Sequence, residues 1–224
     1  MISCIADVLT SEEIKQFREI VGAAQFVDGK ETAGPRAKRV KHNEQISKTD
    51  QTRQKLQQMV VAALLRNPEF RRVAMPHRIR PPLISRYKPG MAYGLHVDDA
   101  LMGPVESRDR SDVSVTVFVS DVREYEGGEL VIHTPYGRQE IKLPSGHAVA
   151  YPSSSLHEVM PVTSGERLVS VTWVQSYIRD EKQREVLGDI AIIRNKLNAL
   201  APNAVETDLA FRLHTNLTRM WAET

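Results

Sequence analysis

Between residues 79 and 177 the chain repeatedly alternates apolar and polar residues, and Gly/Pro turns cut the alternation into short pieces. Leu83, Ser85 and Tyr87 alternate against Ile84, Arg86 and Lys88, and Pro89-Gly90 then turns the chain. VSVTVFVS (113–120), ELVIHT (129–134), residues 138–143, HAVAYP (147–152), HEVMPVT (157–163) and RLVSVTWVQSY (167–177) follow. The turns between them are Glu126-Gly127-Gly128, Pro135-Tyr136-Gly137, Pro144-Ser145-Gly146 and Ser164-Gly165-Glu166. About eight strands at such even spacing, with no helical crossover between them, predict a jelly-roll (double-stranded β-helix) barrel rather than a parallel α/β sheet.

Helices flank this core. Thr10 and Glu13 have capping-box spacing, and Ile14, Phe17, Ile20 and Ala24 share one face of a helix over 10–24. A second helix over 50–66 presents Leu56, Val60, Ala63 and Leu64, and Asn67-Pro68 is expected to stop it. After Tyr177 the helical period returns over 180–200, with Val186, Ile190, Ile193 and Leu197 aligned. Beyond Pro202 a last helix, 204–222, aligns Leu209, Leu213, Leu217 and Met220. These two helices read as an antiparallel hairpin, packed on its own barrel or on a second subunit to give a homo-oligomer. The expected organisation is an N-terminal helical region (1–78), the jelly-roll (79–178) and the C-terminal hairpin (179–224).

A net charge of +2 is too balanced to predict nucleic-acid binding. Cys4 is the only cysteine, which excludes an internal disulfide and a cysteine-based zinc site. No apolar run approaches the ~20 residues that span a bilayer, and MISCIADVLTSEE lacks a signal-peptide pattern, so a cytoplasmic location away from membranes is expected. The stretch 28–47, with Arg36, Lys38, Arg39, Lys41 and His42, reads as a loop with at most one short strand, a solvated basic surface in preference to a rim for an anionic substrate. The polar stretch 99–112 reads as a long loop of the kind that often serves as a lid.

The chemistry concentrates in ISRYKPGMAYGLHVD (84–98). On an extended strand His96 and Asp98 point to one side. An imidazole and a carboxylate on one side are two of the three ligands of a 2-His-1-carboxylate facial triad. Three-letter patterns arise by chance, and a His and an Asp at a strand end are the plainer reading of HVD alone. His157, after the Tyr151-Pro152-Ser153-Ser154-Ser155 turn, could complete the triad at one barrel mouth. Arg167 shares a face with Val169, Val171 and Trp173, so its guanidinium needs a partner: a dicarboxylate ligand, or Glu158 or Glu166 at the strand end. Tyr87 is a core tyrosine or a cosubstrate contact. His133 and His147 read as structural or surface residues, and Trp173 and Trp221 as packing.

Together His96-x-Asp98, His157 and Arg167 resemble the site of the non-haem iron, 2-oxoglutarate-dependent dioxygenases. The Tyr87-x-x-Gly90 approach, the Glu126-Gly127-Gly128-Glu129-Leu130 turn and Pro152 before His157 add to the likeness. Over nearly the whole chain, C-terminal helices included, the sequence resembles the bacterial PKHD-type hydroxylases, relatives of the prolyl hydroxylases. The resemblance implies Fe(II) on His96, Asp98 and His157, 2-oxoglutarate held by Arg167 with Tyr87 assisting, O2 as co-reactant and L-ascorbate as reductant. The implied products are succinate, CO2 and a hydroxylated substrate of unidentified kind, with a link to bacterial iron homeostasis. Metal binding is expected to weaken in acid, because the ligating imidazoles must be neutral. The competing readings are a cupin-like metal-dependent isomerase or metal-binding sensor, for which Arg167 has no required role, and a non-catalytic module that assembles through its C-terminal hairpin.

Overall fold

Every residue of Val113–Phe118 is buried, so this strand has protein on both faces. The computed structural model, which describes residues 1–34 and 36–223, shows why. In chain order the elements are β1 (Ser3–Ile5), α1 (Ser11–Gly22), β2 (Phe26–Asp28), β3 (Lys41–His42), β4 (Glu44–Ile46), α2 (Thr52–Arg66) and α3 (Pro68–Ala74). Next come β5 (Pro76–Ile79), β6 (Leu83–Tyr87), β7 (Ala92–His96), β8 (Leu101–Met102), β9 (Asp109–Arg110), β10 (Val113–Phe118), β11 (Tyr125–Gly127), β12 (Leu130–Thr134) and β13 (Gly137–Ile141). The chain ends with β14 (Ala148–Pro152), β15 (Leu156–Val159), β16 (Val162–Gly165), β17 (Arg167–Ser176), α4 (Glu181–Leu200) and α5 (Val205–Trp221).

The major sheet has eight strands in the order β1-β14-β10-β17-β6-β4-β2, with β5 also on β17; the minor sheet has the order β13-β12-β15-β7-β3. Among the described residues the strand pairings of both sheets are antiparallel. This is the jelly-roll arrangement. Among the described residues the two sheets stay separate layers and do not close into one ring of strands.

Two apolar clusters hold the layers. Val113, Val115 and Val117 point outward from the major sheet and join Phe17, Leu56, Val60, Leu64 and Phe70 of the N-terminal helices. Phe118, on the other face of β10, joins Tyr87, Leu130, Ile132, Val149, Tyr151 and Val169 between the sheets. Fully buried side chains such as Phe17 and Leu56 each stabilise the fold by about 2 kcal/mol on transfer alone. Ser114 and Thr116 alternate with the valines, so the polar face of β10 points to the interior as well, toward the site.

The expected helices form, with four differences. Thr10 and Glu13 make the reciprocal capping box. Asn67-Pro68 ends α2 but immediately starts α3: the Asn67 side chain accepts from Phe70 N at 3.0 Å, and proline fits the first turn because no helical acceptor awaits its missing N–H. The stretch 28–47, expected as a loop with at most one short strand, contains β3, β4, the end of β2 and two short 3-10 turns. The stretch 99–112 likewise forms the small β8–β9 hairpin and one 3-10 turn. In the C-terminal hairpin the buried face of α4 is Arg184, Leu187, Gly188 and Ala191, not the aligned stripe, of which Ile193 is 56% exposed. No helix of the described residues is long and apolar enough to cross a membrane.

Candidate functional site

The end of β7 positions the first two side chains. His96 and Asp98 turn inward while Val97 between them faces out, as alternation requires. His157 stands directly opposite His96 in the β15–β7 register, next to a bulge. The ligand atoms of His96, Asp98 and His157 lie within 4.8 Å of one another. Asp98 reaches both imidazoles, with Oδ1 4.0 Å from His96 Nε2 and Oδ2 3.8 Å from His157 Nε2.

The surroundings fix what these groups offer. His96 Nδ1 lies 2.8 Å from Gly94 O and His157 Nδ1 3.0 Å from Ser155 O. A proton on each Nδ1 satisfies those carbonyls and leaves each Nε2 lone pair facing inward. Burial, and then the neighbouring His157, lower the His96 pKa to about 4, against an opposing pull from Asp98. At neutral pH its imidazole is therefore an uncharged donor. The Ser114 hydroxyl donates to Asp98 Oδ2 at 2.6 Å, backed by the Ser153 hydroxyl at 2.8 Å. Tyr93 stacks on His96 with centroids 3.7 Å apart, and Tyr151 meets the His157 ring edge-on.

The triad opens onto a cavity of about 580 Å³ between the sheets, whose lining includes Tyr87, Tyr93, Tyr151, Arg167 and Trp173. Arg167 sits across from Tyr87 in the β17–β6 register and is 1% exposed. Its guanidinium carbon lies 5.1 Å from the Tyr87 ring centroid and 5.5 Å from that of Phe118. Neither Glu158 nor Glu166 partners it. Glu158 pairs with His133 at 3.0 Å, and Arg167 forms no ion pair among the described residues. Gly127 and Gly128 both have positive φ, and a Cβ on Gly128 would stand 3.0 Å from Arg167 Cδ, so this turn makes room for the arginine.

The reading of 28–47 as a solvated basic surface holds for Arg36, Lys38 and Arg39, which are exposed, but not for Lys41. Lys41 is 5% exposed and lines the cavity with Asn43 and Gln45. Its ammonium donates to Thr32 Oγ1 at 3.1 Å. Burial lowers its pKa to about 8, against the attraction of Asp98 and Asp28. Trp173, expected as packing, lines the same cavity with its indole N–H unpartnered. Ser114, Ser153, Tyr93 and Asn43 also belong to the site, though nothing in the sequence singles them out. The one signal for Ser114 is the polar half of VSVTVF, which alternation alone assigns equally well to solvent.

Comparison with known proteins agrees with this geometry. Residues 82–175 match the family model described as the 2OG-Fe(II) oxygenase superfamily. A PKHD-type hydroxylase of Thioalkalivibrio sulfidiphilus is 45% identical over 223 residues, covering 100% of both chains. Among solved structures, a prolyl hydroxylase of Trichoplax adhaerens in complex with a hypoxia inducible factor peptide superposes with a TM-score of 0.55 at 16% identity, covering 83% of this chain and 86% of that one. HygX of Streptomyces hygroscopicus, with nickel, 2-oxoglutarate and hygromycin B bound, gives 0.53 at 16% identity, covering 79% and 84%. The class is thus a 2-oxoglutarate- and Fe(II)-dependent dioxygenase. Within it, the chain belongs to the PKHD-type hydroxylases.

Proposed function

We propose that the protein hydroxylates a C–H bond of an organic substrate, with His96, Asp98 and His157 holding Fe(II) and Arg167 holding the far carboxylate of 2-oxoglutarate. When bound, the metal, the oxo acid and O2 supply the oxidation: 2-oxoglutarate becomes succinate and CO2, and one oxygen atom enters the substrate as hydroxyl. The protein's residues supply everything else. The two imidazoles and the carboxylate would hold the metal, and the cavity beside them leaves room for the reactants. Ser114 fixes the carboxylate, and the Gly94 and Ser155 carbonyls fix the imidazoles. The tyrosines and the apolar walls restrict water. Tyr87 adds a hydroxyl beside the carboxylate that Arg167 grips.

One observation carries this reading: a buried guanidinium with no carboxylate partner among the described residues, in the same cavity as the triad. Leaving such a charge unpaired costs about 3–5 kcal/mol, so the cavity is built for an anion. The cupin-like isomerase or sensor has no use for it. L-Ascorbate as the reductant that restores Fe(II), and a substrate connected with iron homeostasis, belong to the proposal through the sequence resemblance alone.

The test is conversion of 2-oxoglutarate to succinate by the Fe(II)-loaded protein under oxygen. Asp98→Ala should abolish metal binding and turnover together. Arg167→Ala should raise the 2-oxoglutarate requirement by about 100-fold and leave metal binding unchanged. Wild-type turnover in both variants would refute the assignment.

A further inference from the structure

The run from Lys41 to Ile46 crosses the seam between the two sheets. β3 pairs with β7 of the minor sheet, Lys41 opposite Tyr93, while β4 pairs with β6 of the major sheet, Glu44 opposite Arg86 and Gln45 opposite Ser85. Alternate side chains of this run line the cavity: Lys41 (5% exposed), Asn43 (3%) and Gln45 (4%). Gln45 is satisfied, since it donates to Ser85 Oγ at 2.9 Å and accepts from the Thr32 hydroxyl. Asn43 is less so: its amide lies near the Tyr87 hydroxyl, but neither its oxygen nor its nitrogen makes a well-formed hydrogen bond among the described residues. Lys41 has the one threonine hydroxyl and no ion pair among the described residues. Two buried polar groups facing a cavity, one with a single hydroxyl acceptor and the other with no well-formed hydrogen bond, indicate a ligand that supplies more.

The positions of the two residues say which ligand. Lys41 faces the metal end, its Nζ 5.3 Å from the centroid of Tyr93, the ring that stacks on His96. Asn43 faces the Arg167 end: the β4–β6 register, extended by one residue, sets it beside Tyr87, which is itself opposite Arg167. Residues two apart on a strand are separated by about 6.6 Å. The end carbons of an extended five-carbon acid lie about 5 Å apart, with carboxylate oxygens beyond them. One such diacid can meet both side chains at once.

We infer that Lys41 and Asn43 form a second row of contacts to 2-oxoglutarate, opposite Arg167: the Lys41 ammonium donates to the carboxylate next to the oxo group, and the Asn43 amide N–H to the far carboxylate. This rests on the proposed function, in which the same cavity holds the oxo acid. It makes the seam strand a measuring edge for the length of the acid.

Calorimetric titration of the Mn(II)-loaded protein tests it, with 2-oxoglutarate and with 2-oxobutyrate, which has the same head and no far carboxylate. Lys41→Met should weaken both acids by about tenfold or more. Asn43→Asp, which keeps the size and adds a repelling charge, should weaken 2-oxoglutarate by about tenfold or more and change 2-oxobutyrate by less than about twofold. Mn(II) affinity should be unchanged in both, which a merely structural role would not give. Should Lys41→Met lose Mn(II), Lys41→Gln repeats that arm, and Asn43→Ala does the same for the other. Wild-type affinity for 2-oxoglutarate in either position's variant overturns the paired row and hands that residue to the substrate. Failure of the underlying function looks different: the wild-type Mn(II) protein would take up no 2-oxoglutarate at all.

Discussion

Lys41 carries its charge into a space where the nearest acceptor is a threonine hydroxyl 3.1 Å away. Burial lowers its pKa from 10.5 to about 8, so between those values the unfolded chain binds more protons than the folded one. Stability therefore rises with pH across that window, and the cost of the buried charge is full below pH 8. Lys41→Met removes the charge and keeps the length. It should raise the unfolding temperature of the ligand-free protein at pH 7 by about 2–4 °C, or about 1 kcal/mol, with the gain shrinking as pH approaches 10.5. A lower unfolding temperature at pH 7 would contradict this. The residues that alternation exposes were legible at this scale: His96 and Asp98 flank an outward Val97, and Arg167 shares its face with Val169. Lys41 and Asn43 were not, because strands of two and three residues show no period, and a lysine among arginines reads as surface.

At the scale of elements, Glu13 ties two helices together. It closes the capping box of α1 through Thr10 N at 2.8 Å and receives two hydrogen bonds from Arg66 at the end of α2, at 2.7 and 2.8 Å. The Arg66 side-chain hydrogen bond is the main cause that lowers its pKa from 4.5 to about 2. A lowered carboxylate pKa stabilises the fold above the unfolded value and loses that contribution as pH falls toward the folded value. Glu13→Gln should cost about 1 kcal/mol at pH 7 in urea denaturation, and the difference from wild type should vanish between pH 4.5 and 2. A constant difference across that range would assign the loss to packing instead. The Thr10/Glu13 spacing made this cap readable in the sequence, but the partner 53 residues away was not readable. The Asn67-Pro68 pair shows the same limit: the stop is local chemistry, while the restart as α3 depends on Phe70 and Ala74 finding the core.

At the scale of the molecule, the site joins two layers that hold each other through side chains rather than through a closed ring of strands. The His96, Asp98 and His157 triad stands at the end of the minor sheet and Arg167 on the major one, so the metal and oxo acid we propose between them would bridge the layers. Binding to the native state alone adds stability that grows with the logarithm of ligand concentration over the dissociation constant, about 2.7 kcal/mol at one hundred times that constant. Saturating Mn(II) should therefore raise the unfolding temperature by about 5–10 °C. 2-Oxoglutarate should add to this only when metal is present, and Asp98→Ala should abolish both increments. Thermal scans of the four combinations decide it; an equal rise from 2-oxoglutarate without metal would show that the acid does not depend on the metal for its seat.

By itself the sequence determined what repeats locally: the short alternating strands and their glycine turns, the first two N-terminal helices with the capping box of α1, and the pairing of His96 with Asp98. These depend on neighbours a few residues apart, whose geometry the backbone fixes. Only the tertiary structure decided that His157 stands opposite His96, that neither Glu158 nor Glu166 pairs with Arg167, and that Lys41 and Asn43 turn inward at the seam. Each of those facts is a register between strands distant in the chain, set by which apolar faces bury together, and no local pattern encodes it.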